Sequence, residues 1–137
     1  MQNSPYLDFP LLPSPSRCRG CCKRSKRGDL PRRGGSVDDG GWVILLERMD
    51  HAAMTASVEL AEGKARSAAL FKKPTQALED AINQGRYTAV TARGFIEMQG
   101  GLPVIVDGEV IGGIGASFAT PEEDEQVAKA GLAALSK

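Results

Sequence analysis

The chain has 137 residues, 17 basic and 17 acidic side chains and 42% hydrophobic residues, which is enough for one domain with a core and short for two. No apolar run reaches membrane-spanning length, so a helical membrane protein is excluded and a soluble, cytoplasmic protein is the expectation. The zero net charge hides an asymmetry, because residues 1–41 hold eight Lys/Arg against four Asp/Glu and residues 42–137 hold nine against thirteen.

The first 35 residues differ in texture from the rest. All three cysteines and five of the eight prolines precede residue 42. A stretch rich in Pro, Arg, Lys and Ser without apolar periodicity is expected to be a disordered tail. Its apolar fragment YLDFPLLP is short, broken by proline and placed ahead of the basic residues, unlike a signal peptide. Cys18, Cys21 and Cys22 show CxxC spacing, but no second Cys/His pair follows at zinc-ribbon distance and the one histidine is His51. Free thiols in a tail are the expectation. The basic run Lys23–Arg27 reads as a solvated tail with no specific nucleic-acid partner, since no reading module accompanies it.

From Ser36 the pattern changes. Asp38–Gly41 is a turn signal, and WVILLERM after it has the β-branched, apolar character of a buried strand. A turn before a strand needs a partner strand before the turn, yet only Ser36 and Val37 stand between Asp38 and the Arg/Gly-rich tail, so the partner is expected to be missing. Met54, Val58, Ala61, Ala65 and Ala68 then recur by fours and threes, which predicts a helix whose small-residue seam lets another element approach closely. Glu62 and Arg66 stand at i and i+4 on its flank. Gly63 inside this helix costs about 1 kcal/mol relative to alanine, an expense that close packing would offset.

A shorter helix is expected after Pro74, with Ala77, Leu78, Ala81 and Ile82 as its apolar face and Gly85 as its stop. Residues 86–100 are ambiguous in pattern: YTAVTA, residues 87–92, fits a short strand, and RGFIEMQGG a loop leading to the next element. Val104–Val106, the pair Asp107-Gly108 and the return from Glu109 to Ser117 form a hairpin, because a type I′ turn needs positive φ at both central positions. Gly112, Gly113 and Gly115 therefore sit on the return strand. No glycine follows three places after Gly115 and no helix follows at once, so the stretch is not a dinucleotide loop. Missing side chains there would admit a neighbouring helix, a subunit or a flat ligand. Thr120, Pro121 and Glu123 mark the start of a last helix with a capping box, and Val127, Ala130, Gly131, Ala134 and Leu135 supply its apolar face.

The segment GGLPVIVDGEVIGGIGASFATPEEDEQVAKAGLAAL, residues 101–135, resembles the C-terminal signature of the GlcG/HbpS family of haem-binding or haem-degrading domains, which also occurs as the C-terminal domain of some corrinoid adenosyltransferases. DDGGWVILLERMD and GKARSAALF match the same pattern in order and spacing. The resemblance covers residues 36–137 and implies an α/β (α+β) domain, an antiparallel β-sheet flanked by helices, that forms a homo-oligomer. It also implies a haem or other tetrapyrrole ligand, or a part in glycolate or corrinoid metabolism. The family normally begins with a helix and a strand where this chain carries its tail. Residues 1–35 are accordingly expected to be a tail from a shifted reading frame or misassigned start, preceding a GlcG/HbpS-like domain over 36–137.

By residue type His51 is the candidate haem ligand, since imidazole is the commonest donor, but the family more often has a small residue there, so the resemblance does not support it; an exposed loop histidine is the other reading. Met49 and Met54 offer thioethers, with core filling as the alternative. Glu59 and Glu62, at i and i+3, form a candidate metal pair or a solvated helix face. Lys64 and Arg66 are candidates for haem propionates or simple surface charges. No nucleophile–histidine set can be assembled, so binding is favoured over self-contained hydrolysis. Two functions follow: a tetrapyrrole-binding protein with at most weak haem degradation, or a non-catalytic oligomeric accessory protein of small-molecule metabolism.

Overall fold

The computed structural model describes residues 33–48 and 54–135. In chain order they form β1 (Arg33–Asp38), β2 (Val43–Arg48), α1 (Ser57–Phe71), α2 (Thr75–Asn83), a 3-10 turn (Tyr87–Thr91), β3 (Gly101–Val106), β4 (Glu109–Ala116) and α3 (Pro121–Leu135). The strands build one antiparallel sheet in the order β2-β1-β4-β3. This is the α+β arrangement, with helices against a sheet, that the sequence led us to expect.

The strand expected to be missing is present. Arg33–Asp38 pairs with β2 on one side and β4 on the other, so the last residues of the apparent tail form an inner strand. Its glycines conceal it from propensity, but packing overrides propensity in a sheet. A Cβ on Gly35 would lie 3.2 Å from Leu46 Cδ1 and 3.7 Å from the backbone of Glu62, where α1 crosses. The family's usual first helix, like the rest of the tail, falls outside the described residues.

A second correction concerns β2. Its apolar sequence predicted a buried strand, yet it is an edge of the sheet, with Trp42 72%, Val43 45% and Ile44 37% exposed. Pairing passes from Val37↔Val43 to Ser36↔Leu45 and leaves Ile44 as an extra residue, a β-bulge. At the β1–β2 turn, the Trp42 amide donates to Asp38 Oδ1 at 2.8 Å and Gly41 N to the Asp38 carbonyl at 3.0 Å.

The hairpin of β3 and β4 turns on Asp107 (φ 51°) and Gly108 (φ 82°), the two positive angles that a type I′ turn requires. The glycines behind it admit a helix. A Cβ on Gly113 would collide with the Ala65 carbonyl, and one on Gly115 with the Ala61 carbonyl. Helix α1 thus lies on the sheet backbone to backbone, and its buried positions Ser57, Ala61, Lys64, Ala65, Ser67, Ala68 and Ala69 are all small except Lys64. Met54, expected in this seam, is exposed. Gly63 is explained in the same way from the other side of α1, because a Cβ there would strike Ile96.

Ile114 alternates with Gly113 and Gly115 and points to the opposite face, where it packs with Leu102, Ala128 and Leu132. Helix α3 therefore covers the face away from α1. Its buried positions Val127, Ala128 and Gly131 shift the expected apolar face toward Ala128 and Leu132. The capping box forms as predicted, with the Thr120 amide donating to Glu123 Oε2 at 3.2 Å and the Glu123 amide to Thr120 Oγ1 at 3.4 Å. Helix α2 begins after Pro74 and ends before Gly85 as expected. Residues 87–91, which fit a short strand in pattern, are instead a 3-10 turn whose Thr91 hydroxyl donates to the Thr88 carbonyl at 2.7 Å. The β-branched residues drew that reading, but a threonine three residues on can close a tight turn locally.

The contact between β4 and α1 leaves no room for a methyl group. Gly115→Ala should lower unfolding free energy by about 2–3 kcal/mol through overpacking. Gly34→Ala, whose Cβ would meet only the Gly115 carbonyl at 3.6 Å, should change it by less than about 1 kcal/mol. Urea denaturation followed by circular dichroism compares the two.

Candidate functional site

Lys64 sits in the middle of α1 on the side that meets the sheet, and only 2% of its side chain is exposed. Its ammonium donates to Asp124 Oδ2 at 2.7 Å and to the Ala116 carbonyl at 3.2 Å. The other Asp124 oxygen accepts from the amides of Phe118 at 2.8 Å and Ala119 at 3.3 Å. Burying two charges is costly unless their remaining hydrogen-bonding capacity is met, and here carbonyl and amide groups meet it. Gly100 completes the packing, since a Cβ on it would stand 2.8 Å from Asp124 Cβ and 3.1 Å from Lys64 Nζ. Beside it the Gly101 amide donates to Thr75 Oγ1 at 2.8 Å, and that hydroxyl donates to the Gly101 carbonyl at 3.3 Å. One polar node thus joins α1, the starts of α2, β3 and α3, and the end of β4.

The node changes the expectation for Lys64. Its ammonium is neither a surface charge nor open to a ligand carboxylate in this conformation, because Asp124 occupies it and solvent is excluded. Arg66 is placed differently. It is half-buried, donates from Nη1 to the Gly41 carbonyl at 3.0 Å, and lies 5.9 Å from the centre of the Trp42 ring. The pairing with Glu62 expected from i,i+4 spacing gives way to this contact with the β1–β2 turn. Lys64 and Arg66 therefore do not converge on one point.

Glu59 is exposed and Glu62 half-buried on α1. Among the described residues no group of three or more His, Cys, Asp or Glu side chains could hold a metal ion. His51, Met49, Cys18, Cys21, Cys22 and the basic run Lys23–Arg27 lie outside the described residues. Met54 is exposed at the entry to α1, so the core-filling alternative for it is not what is found.

A second polar cluster secures the irregular chain before β3. The Gln99 amide donates to Glu79 Oε2 at 2.6 Å, its side chain donates to Glu125 Oε2 at 2.5 Å, and Lys129 pairs with Glu125 Oε1 at 2.7 Å. The Lys129 hydrogen bond holds the Glu125 carboxyl below the usual carboxylate range; burial opposes this and Gln99 assists it. Nearby, the Ile96 amide donates to Ser67 Oγ at 2.8 Å and Phe95 meets Phe71 edge to face with centroids 4.9 Å apart. The Glu125–Lys129 spacing of four was available in the sequence. Lys64 and Asp124 are separated by 60 residues, and no local pattern links them.

A family model described as "Haem degrading protein HbpS-like" matches residues 36–133. The chain belongs to this family. Within the HbpS-like family, Protein GlcG of Escherichia coli K12 is 45% identical over 81 residues, which cover 59% of this chain and 60% of GlcG. The match thus spans less than two thirds of that relative. Protein ORFY of Klebsiella pneumoniae superposes with a TM-score of 0.81 at 31% identity, over 88% of this chain and 85% of that one. The structure of a PduOC–heme complex superposes with a TM-score of 0.78 at 28% identity, over 87% and 89% of the two chains.

Two outcomes follow from the polar clusters. Asp124→Asn should cost about 3–5 kcal/mol of stability, because it leaves the buried ammonium without its charge partner. The double variant Lys64→Met/Asp124→Leu should recover part of that loss in the same denaturation experiment. Because the Glu125 pKa is depressed in the folded state, its stabilising contribution is present above the unfolded carboxylate pKa of about 4.3 and is lost as pH falls through the lower folded value. Lys129 is mostly exposed, so screening keeps this effect small. Lys129→Met should make stability below about pH 5 less steeply dependent on pH, as read from urea midpoints.

Proposed function

We propose that this HbpS-like chain binds haem or a related tetrapyrrole, which His51 would hold through its iron and Arg66 through a propionate, with at most weak haem degradation. The observation that carries this reading is the likeness, over most of both chains, to a protein whose structure is a heme complex, together with the family match. The chemistry of the residues fits. Imidazole is a common donor to haem iron, and His51 is the single histidine in the sequence. Arg66 keeps part of its guanidinium fork at the surface after bonding Gly41, and arginine recognises carboxylates through charge-assisted hydrogen bonds. Lys64 is left out of the site, because Asp124 holds its ammonium.

Bound haem would supply an iron centre with redox chemistry. The chain's own part is to hold the macrocycle and orient it.

Hemin titration of the full chain, followed at the Soret band, tests the proposal. Saturable binding is expected, weakened about tenfold or more in His51→Ala and about tenfold in Arg66→Gln, each tenfold being about 1.4 kcal/mol. Lys64→Met should lower stability while leaving the spectrum of the bound form unchanged. No spectral change at stoichiometric hemin would reject haem binding in favour of an accessory role in glycolate or corrinoid metabolism.

A further inference from the structure

At 72% exposure Trp42 is the most exposed large apolar side chain among the described residues, yet it is held in place. A Cβ on Gly40 would stand 3.1 Å from its Cδ1 and 3.4 Å from its Nε1, so the glycine leaves room for the pyrrole edge of the indole. The Arg66 guanidinium carbon lies 5.9 Å from the ring centre, and Nη1 is anchored on the Gly41 carbonyl. Leu70, one turn further along α1, closes on the same turn: a Cβ on Gly41 would lie 3.0 Å from Arg66 Cγ and 3.1 Å from Leu70 Cδ1. The corner where α1 passes the β1–β2 turn thus sets an aromatic plate, an apolar side chain and a cation side by side. Among the described residues no carboxylate pairs with that cation.

The turn does not need the indole. Asp38 already closes it through the Trp42 and Gly41 amides, which any residue at position 42 other than proline could supply. An ordered tryptophan left in water is the residue type that most often anchors a ligand or partner. We infer that Trp42 is a platform for the tetrapyrrole, whose flat face rests on the indole and Leu70 while a propionate at its rim meets Arg66. This rests on the tetrapyrrole reading above and adds to it a contact that needs no iron. The chemistry of the corner selects the ligand class. A carboxylate alone would meet only a solvent-screened surface charge, and an apolar plate alone would leave the guanidinium without a partner. A molecule with a broad flat face and a carboxylate at its edge satisfies both, and a guanidinium beside an aromatic ring keeps its N–H rim free for that carboxylate.

Titration of the full chain with iron-free protoporphyrin, followed by the porphyrin's own fluorescence, separates this platform from any iron ligand. Saturable binding is expected, weakened about tenfold in both Trp42→Leu and Arg66→Gln and unchanged in His51→Ala. Trp42→Phe, which keeps an aromatic face, should retain most of the affinity. Tyr87→Leu, which removes an exposed aromatic from the 3-10 turn, should bind as the unmodified chain does. The dimethyl ester, which has no free carboxylate, should bind the unmodified chain and Arg66→Gln equally. If Trp42→Leu does not fold, the unmodified chain still decides, because its single tryptophan gives one indole N–H resonance, which the porphyrin ring current should move upfield. An unmoved resonance, undiminished binding by Trp42→Leu, or a Trp42 already shielded from acrylamide in the ligand-free chain would overturn the inference. A His51-dependent Soret band with hemin, without affinity for the iron-free porphyrin, would overturn the platform and leave the tetrapyrrole reading standing. Binding of neither compound would remove both.

Discussion

The contact between Lys64 and Asp124 is the point on which the layers of this molecule close. Helix α1 lies on one face of the sheet and α3 on the other, and the ammonium of the first reaches the carboxylate of the second past the end of β4. With one partner removed, the remaining charge would stay buried at a cost of about 3–5 kcal/mol, a large share of a small domain's stability. The same carboxylate fixes the turn into α3 through the Phe118 and Ala119 amides. A single pair thus sets both the docking of the helices and the path of the chain between them.

That pair can form only because the backbones come very close. Gly113 and Gly115 let α1 rest on β4, and Gly100 opens the space in which the ions meet. The core is correspondingly built from small groups, chiefly Ala61, Ala65, Ala68, Ala69, Ala116 and Ala128. Alanine buries little apolar area, so stability here depends on many close dispersion contacts and on the polar node more than on large side chains. This explains why a chain with only 5% aromatic residues still builds a close-packed helix–sheet interface.

Much of this was legible in the sequence where the signal is local. The Asp107-Gly108 turn, the Thr120–Glu123 capping box and the small seam of α1 each depend on residues within a few positions of one another. What escaped was non-local. Strand β1 was hidden because Gly34 and Gly35 have poor strand propensity, and at Gly35 a Cβ would crowd Leu46 Cδ1 and meet the Glu62 backbone of α1. Strand β2 looked buried because its composition records apolar contacts and says nothing of position in the sheet. Lys64 read as a propionate partner or a surface charge, and not as half of a buried ion pair, because its partner lies 60 residues away. The family resemblance, by contrast, was readable from residues 101–135, where glycines and capping residues stand in a fixed order, and the match over residues 36–133 agrees with it.

The proposed ligand chemistry is separate from the structural ion pair: Lys64 braces the fold, and on the proposed reading His51 and Arg66 would meet the tetrapyrrole. A crystal structure of the hemin-loaded full chain tests that division most directly. The account predicts iron bound to His51, with Lys64 Nζ still held by Asp124 and the Ala116 carbonyl. A Lys64 ammonium drawn away from Asp124 onto a haem propionate would contradict it.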